Sequence, residues 1–180
     1  MKSIINIMKI ITTPMCEEVV KLAGVTDYLI DKFPDNNECD LAVVLSESKV
    51  KMPHISIKIN TASQIFKSIK KISSISNSPL TDSQVKSFFT SYPLCLKYLN
   101  PQAKNNIPVK VYSNFLKDIA EDVGFSITNA NFQHVIYPDY LKDKVTETNN
   151  LLEIPSHNSI SKNPFKKAEF RYSILESLLL

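Results

Sequence analysis

The apolar positions of this chain alternate between short continuous runs and longer stretches spaced like one face of a helix. Residues 4–11 form a mostly apolar run, the pattern of a strand covered on both faces. Val19, Leu22 and Ala23 then recur at helical spacing until Gly24, which predicts a helix stopped by a glycine. Thr13 is placed to be its N-cap and Pro14 its first residue, where a missing N–H costs nothing. A second strand is predicted over 25–30, then a loop through Pro34-Asp35-Asn36-Asn37. The uninterrupted run Leu41 to Leu45 ends in Ser46-Glu47-Ser48 and reads as an interior parallel strand. Residues 54–59 alternate, and Asn60-Thr61 leads into a helix reaching about Ile75.

Ser76-Asn77-Ser78-Pro79 supplies turn chemistry, and Thr81 or Asp82 caps the next helix, which ends near Pro93. Residues 94–99 add a further turn or two before Pro101. A second strand-to-helix unit follows: Val109 to Tyr112, a cap at Ser113 or Asn114, then Phe115 to Val123 and Gly124. Residues 125–127 and 135–137 add strands, and the polar stretch 145–163 reads as an extended connection. Pro164 opens a last helix over about 164–179, with Phe165, Ala168, Ile174, Leu175 and Leu178 available to dock.

Strands alternating with helices predict an α/β chain: a three-layer, Rossmann-like fold with a mainly parallel sheet, drawn as one domain over 1–180. No internal repeat or low-complexity linker is visible. In such folds ligands gather at the carboxyl ends of the strands. Thr12 and Thr13, Ser46 and Glu47, Asn60 and Thr61, and Ser113 and Asn114 all fall at such ends. They form a rim of hydroxyls, amides and one carboxylate, with a double reading as helix caps or as a polar pocket for a neutral or anionic ligand.

Composition narrows the chemistry. Only two glycines occur in 180 residues, so neither G-x-G-x-x-G nor a Walker loop exists, and any nucleotide must be held by helix ends and side chains. A net charge of +3 is too mild to predict nucleic-acid binding. The densest basic cluster, Lys162, Lys166, Lys167 and Arg171, fits the solvated face of the last helix rather than a phosphate track. No apolar run spans a bilayer, which needs about 20 residues. No cleavage site follows the first apolar run, so no signal peptide is expected, and Met8 offers a second start. Three cysteines without paired spacing argue for a reducing, cytoplasmic setting. Neither C-x-x-C nor H-x-x-x-H occurs, so no metal site is read.

Cys16 carries the sharpest candidate chemistry. Placed in the first turn of a helix after a buried strand, a thiol meets N–H donors and the positive end of the dipole, which favour thiolate. Glu17 and Glu18 oppose that ionisation, and a packed, inert cysteine is the competing reading. Among the imidazoles, His54 opens a strand at the far end from Cys16, His134 precedes an apolar run, and His157 lies in a loop. No Cys-His pair is assigned, so the thiol suits acceptance of an already activated carboxylate better than amide hydrolysis. Glu47 is placed to hydrogen-bond a ribose or a heterocycle N–H. Asp40, Asp118 and Asp122 form no metal pattern. Cys39, between Glu38 and Asp40, is expected to be the less reactive thiol, and Cys95, between two leucines, to be buried.

The segment Lys9-Ile10-Ile11-Thr12-Thr13-Pro14-Met15-Cys16-Glu17-Glu18, with Leu22-Ala23-Gly24-Val25 after it, resembles the opening of the HcgF family. These are methanogen proteins of iron-guanylylpyridinol cofactor biosynthesis, serving [Fe]-hydrogenase maturation. The resemblance covers about a tenth of the chain. It implies that Cys16 takes the carboxylate of guanylylpyridinol as a thioester after an ATP-dependent partner protein has adenylated it. It implies guanylylpyridinol as bound ligand, with no intrinsic cofactor. The polar rim, Thr12, Thr13, Ser46, Glu47 and Ser113, would hold phosphate and ribose. Nucleic acid and membrane are not expected as partners, and a homodimer stays open, as does whether the acyl-transfer step makes the chain an enzyme. Two alternatives stand beside this: a nucleotide- or cofactor-processing enzyme in which Cys16 only packs, and an interaction module docking through Ile174, Leu175, Leu178 and Leu179.

Overall fold

Strand β1, Ile10–Thr12, buries three residues in succession, which requires cover on both faces of the sheet. β3, Leu41–Leu45, does the same through Ala42, Val43 and Val44. In the computed structural model, which describes residues 8–100, 102–156 and 160–180, these two strands sit side by side at the centre of a four-stranded sheet. Its order is β2-β1-β3-β4, with β2 at Tyr28–Ile30 and β4 at His54–Ile57. Residues 4–7 of the expected first strand, with Pro101 and His157, lie outside the described residues; Met8 and Lys9 precede the strand and are exposed. Ile11, Ala42 and Val44 form the heart of this sheet's core, with Cys39, Val50 and Met52 packed against them.

A second four-stranded sheet has the order β6-β5-β7-β8, from β5 (Pro108–Val111), β6 (Ser126–Ile127), β7 (His134–Pro138) and β8 (Leu151–Ile154). Every pairing in both sheets is parallel. The α/β class and the parallel strands match the sequence reading, while the strands divide between two sheets where one is expected. The chain likewise divides into two compact units, 1–59 with 67–85, and 60–66 with 86–180. β8 corrects a specific expectation. It forms inside the polar stretch 145–163, where Leu151, Leu152 and Ile154 are enough to pair a short strand with β7.

The helices are α1 (Glu17–Leu22), α2 (Ala62–Ser73), α3 (Asp82–Ser87), α4 (Pro93–Tyr98), α5 (Asn114–Val123) and α6 (Pro164–Glu176). Their ends follow local chemistry. The Ser113 hydroxyl accepts the Leu116 N–H at 3.4 Å and the Asn163 side chain accepts the Lys166 N–H at 3.1 Å, each an N-cap. The two sheets share a plan that no residue pattern announces: strand, helix, edge strand, central strand, edge strand, helix. The only two glycines stand at matching places in it, after α1 and after α5, with φ of +83° and +95°, the left-handed region that glycine enters freely. At Gly124 space is also short, since a Cβ there meets the Ala103 carbonyl oxygen at 2.6 Å. Gly124→Ala is therefore expected to lose about 2–4 kcal/mol, adding left-handed strain to overpacking. Urea unfolding checks this, and a loss below about 0.5 kcal/mol refutes it. No helix among the described residues is long and apolar enough to cross a membrane.

Candidate thiol site at the edge of the first sheet

From β1 the chain travels to β2 on one side of it, then returns to β3 on the other side. The connections leaving the carboxyl ends of β1 and β3 therefore diverge, and it is at such a reversal point that open parallel sheets receive ligands. Thr12, Thr13 and Cys16 stand at the end of β1, and Ser46 and Glu47 at the end of β3. The structure thus gathers five of the six expected site residues. Ser113 belongs to the other sheet, at the carboxyl end of β5, where it caps α5.

The local geometry departs from the sequence reading at the thiol. α1 begins at Glu17, so Cys16 is its N-cap residue, and Thr13 and Pro14 lie before the helix rather than opening it. Thr13 acts through its carbonyl, which accepts the Cys16 N–H at 2.9 Å in a tight turn. That turn leaves Cys16 fully buried, at 0% exposure. Burial is the dominant influence on the thiol and pushes its pKa up to about 11; a Thr13 side-chain hydrogen bond works the other way, and the Glu47 carboxylate adds to the rise. The expectation of a helix-stabilised thiolate is corrected here, because desolvation of the sulfur outweighs one short helix end. At neutral pH the protonated thiol therefore predominates.

The neighbouring polar groups have distinct tasks. The Thr12 hydroxyl, fully buried, donates to the Val43 carbonyl at 3.0 Å and ties β1 to β3. Ser46 donates to the Glu47 carboxylate at 3.0 Å, both exposed on the rim. His54 opens β4 at the opposite edge, with its Nδ1 2.9 Å from the Met52 carbonyl oxygen. Cys95 is buried as expected, with its thiol 3.6 Å from the Phe165 carbonyl oxygen. Among the described residues no group of three or more His, Cys, Asp or Glu side chains is placed to hold a metal ion.

The coupling between Cys16 and Glu47 is the feature that sequence reasoning missed, because it depends on β1 and β3 being neighbours. It makes a prediction. Alkylation of Cys16, followed by peptide mapping, should climb about tenfold per pH unit from pH 7 to 10. Glu47→Gln should raise the rate at pH 8 by about two- to five-fold. A rate that levels off below pH 9 would mean that the thiol ionises in the ordinary range.

Comparison with known proteins adds the fold alone. No family model matches the chain, and no curated protein matches it. Among solved structures, the periplasmic vitamin B12 binding protein BtuF of Vibrio cholerae is similar, with a TM-score of 0.53 and 11% identity. The match covers 95% of this chain and 94% of that one.

Proposed function

We propose that the chain accepts an activated carboxylate on Cys16 as a thioester, with guanylylpyridinol as the ligand and an ATP-dependent adenylating protein as the partner, in maturation of [Fe]-hydrogenase. The observation that carries this reading is the position of the thiol, at the reversal point between β1 and β3 where open parallel sheets receive ligands. The opening segment's resemblance to the HcgF family supplies the ligand. In the step itself the sulfur attacks the acyl carbon, an S–C bond forms, and the C–O bond to the adenylate breaks. AMP leaves with the electron pair, and the thiol proton passes to the departing phosphate. Because AMP is already a good leaving group, no histidine is required. The N-terminal turn of α1 supplies dipole stabilisation to the developing oxyanion. Cytoplasmic placement belongs to the same proposal, supported by Cys16, Cys39 and Cys95 all being free thiols.

A second reading has an observation of its own. Full burial and a thiol pushed up to about 11 suit a packed Cys16 in a protein that binds or processes a cofactor-sized molecule at the same rim. The fold neighbour, a vitamin B12 binding protein, has a binding role of that kind. Intact-mass measurement separates the two. The protein is mixed with guanylylpyridinol, ATP and the adenylating partner. A covalent acyl adduct released by hydroxylamine supports thioester formation. Reversible binding by calorimetry with no adduct, under conditions where the adenylate is made, supports the second reading.

A further inference from the structure

The spacing of Lys162, Lys166, Lys167 and Arg171 predicts a solvated basic face on α6, and half of that expectation fails. Lys162 and Lys166 are exposed, but Lys167 and Arg171 are only 6% and 3% exposed. They are four residues apart, so one turn of α6 stacks two buried cations on the same face. Among the described residues, the Lys167 ammonium has no hydrogen-bond acceptor or acidic partner, and the charge it registers is that of Arg171.

Arg171 is better held, though not filled. Its guanidinium lies 4.6 Å from the centre of the Phe115 ring. Nε and Nη2 donate to the Pro155 carbonyl at 3.4 Å, and Nη2 to the Ser156 carbonyl at 3.2 Å, while Nη1 has no bond among the described residues. Asp139 and Tyr140 act on it electrostatically. The Asp139 carboxylate also accepts the Ser156 N–H at 3.1 Å and the Tyr140 N–H at 2.9 Å. Two cations against one carboxylate leave one positive charge uncompensated. Burying such a charge is costly unless something counters it. No side-chain nitrogen or oxygen among the described residues is sealed from solvent without a partner. Lys167 Nζ and Arg171 Nη1 therefore each keep some surface that solvent reaches.

The pair of cations has a defined place in the fold. Phe115 lies in the first turn of α5, which follows β5; Asp139 follows β7; Pro155 and Ser156 follow β8. The second sheet reverses between β5 and β7 as the first does between β1 and β3, so the cations stand at its carboxyl edge, over the reversal point. The start of the ten-residue α5 adds its positive dipole end. We infer that Lys167 and Arg171 form a site for the phosphate group of a small molecule, with Lys167 Nζ and Arg171 Nη1 donating to its oxygens. This site is independent of Cys16.

The test uses the full chain, with inorganic phosphate as the probe and ribose 5-phosphate in parallel, against chloride at matched ionic strength. The melting temperature of wild type should rise saturably with phosphate and not with chloride. A stronger response to ribose 5-phosphate identifies an esterified group as the ligand, and an equal response identifies phosphate itself. Lys167→Met keeps the apolar stem and should weaken the apparent affinity roughly ten- to hundred-fold, while the phosphate-free melting temperature does not fall. An equal response in Lys167→Met overturns the site, as does an unsaturable one in wild type. Should the variant fail to fold, ammonium resonances of wild type decide: Lys167 must shift on phosphate titration, and an unmoved Lys167 overturns the proposal.

Discussion

On the thioester reading, Cys16→Ser is expected to abolish the acyl adduct. Replacing sulfur by a hydroxyl removes the polarizable nucleophile and leaves a group far harder to ionise, so the acylation rate should fall on the order of 10³-fold or more. Guanylylpyridinol binding without activation should stay within about two-fold, because the sulfur's part begins only as the acyl carbon is attacked. The substitution also places an oxygen in a site with 0% exposure, at a cost of about 1–2 kcal/mol unless Thr13 pairs with it. Cys16→Ala is the matching control for folding. An adduct that persists in either variant, mapped to another residue, would remove Cys16 from the chemistry. Loss of reversible binding in both folded variants would instead make the thiol part of the pocket wall.

A stability effect as large as that at Gly124 is expected at Tyr172, also in the second unit. Its ring is fully buried and stacks on Tyr98 with centroids 4.5 Å apart. Its hydroxyl donates to the Asp122 carboxylate at 2.6 Å and accepts the Ala62 N–H at 3.0 Å. Tyr172→Phe breaks both bonds at once, leaving a buried N–H without its acceptor and a half-buried carboxylate without one of its donors. The expected loss is about 2–4 kcal/mol, read from urea unfolding with an unchanged slope. Burial holds the Asp122 carboxyl above the usual carboxylate range, and hydrogen bonds from Tyr172 and Thr61 pull it back down. A carboxyl raised in the folded state favours folding most when protonated, and that contribution fades as pH rises through its folded pKa. Removing Tyr172 raises that pKa further, so the penalty is full at neutral pH and shrinks as the medium is acidified through it. A penalty below about 0.5 kcal/mol, or one that grows on acidification, would refute this account.

The class of the fold was legible because continuous apolar runs such as Leu41 to Leu45 have few uses other than a strand covered on both faces. The glycine stops, the cap at Ser113 and the helix start at Pro164 are local chemistry and were legible for the same reason. β8 was not, since its four residues lie among polar neighbours and gain a strand only by pairing with β7. At the site, the placement of Thr12, Thr13 and Cys16 at the end of β1 could be read from the chain, because Thr12 closes the strand and the other two lie within four residues of it. The ionisation of Cys16 could not. It turns on burial and on Glu47, and both are set by which strands become neighbours rather than by local spacing. Lys167 and Arg171 misled for a related reason: i, i+4 spacing says that two side chains share a face, and only the packing says what that face meets.

Both sheets run in the same order with the same succession of elements, and the two glycines fall at matching points 100 residues apart. Counted from those glycines, Leu116 falls opposite Cys16 and both are fully buried, though Cys16 caps α1 and Leu116 lies inside α5. This is the trace expected of tandem duplication of a half-length unit, one copy now carrying a thiol at its edge and the other a pair of cations. Such an origin predicts relatives that carry a single four-stranded unit and assemble in twos.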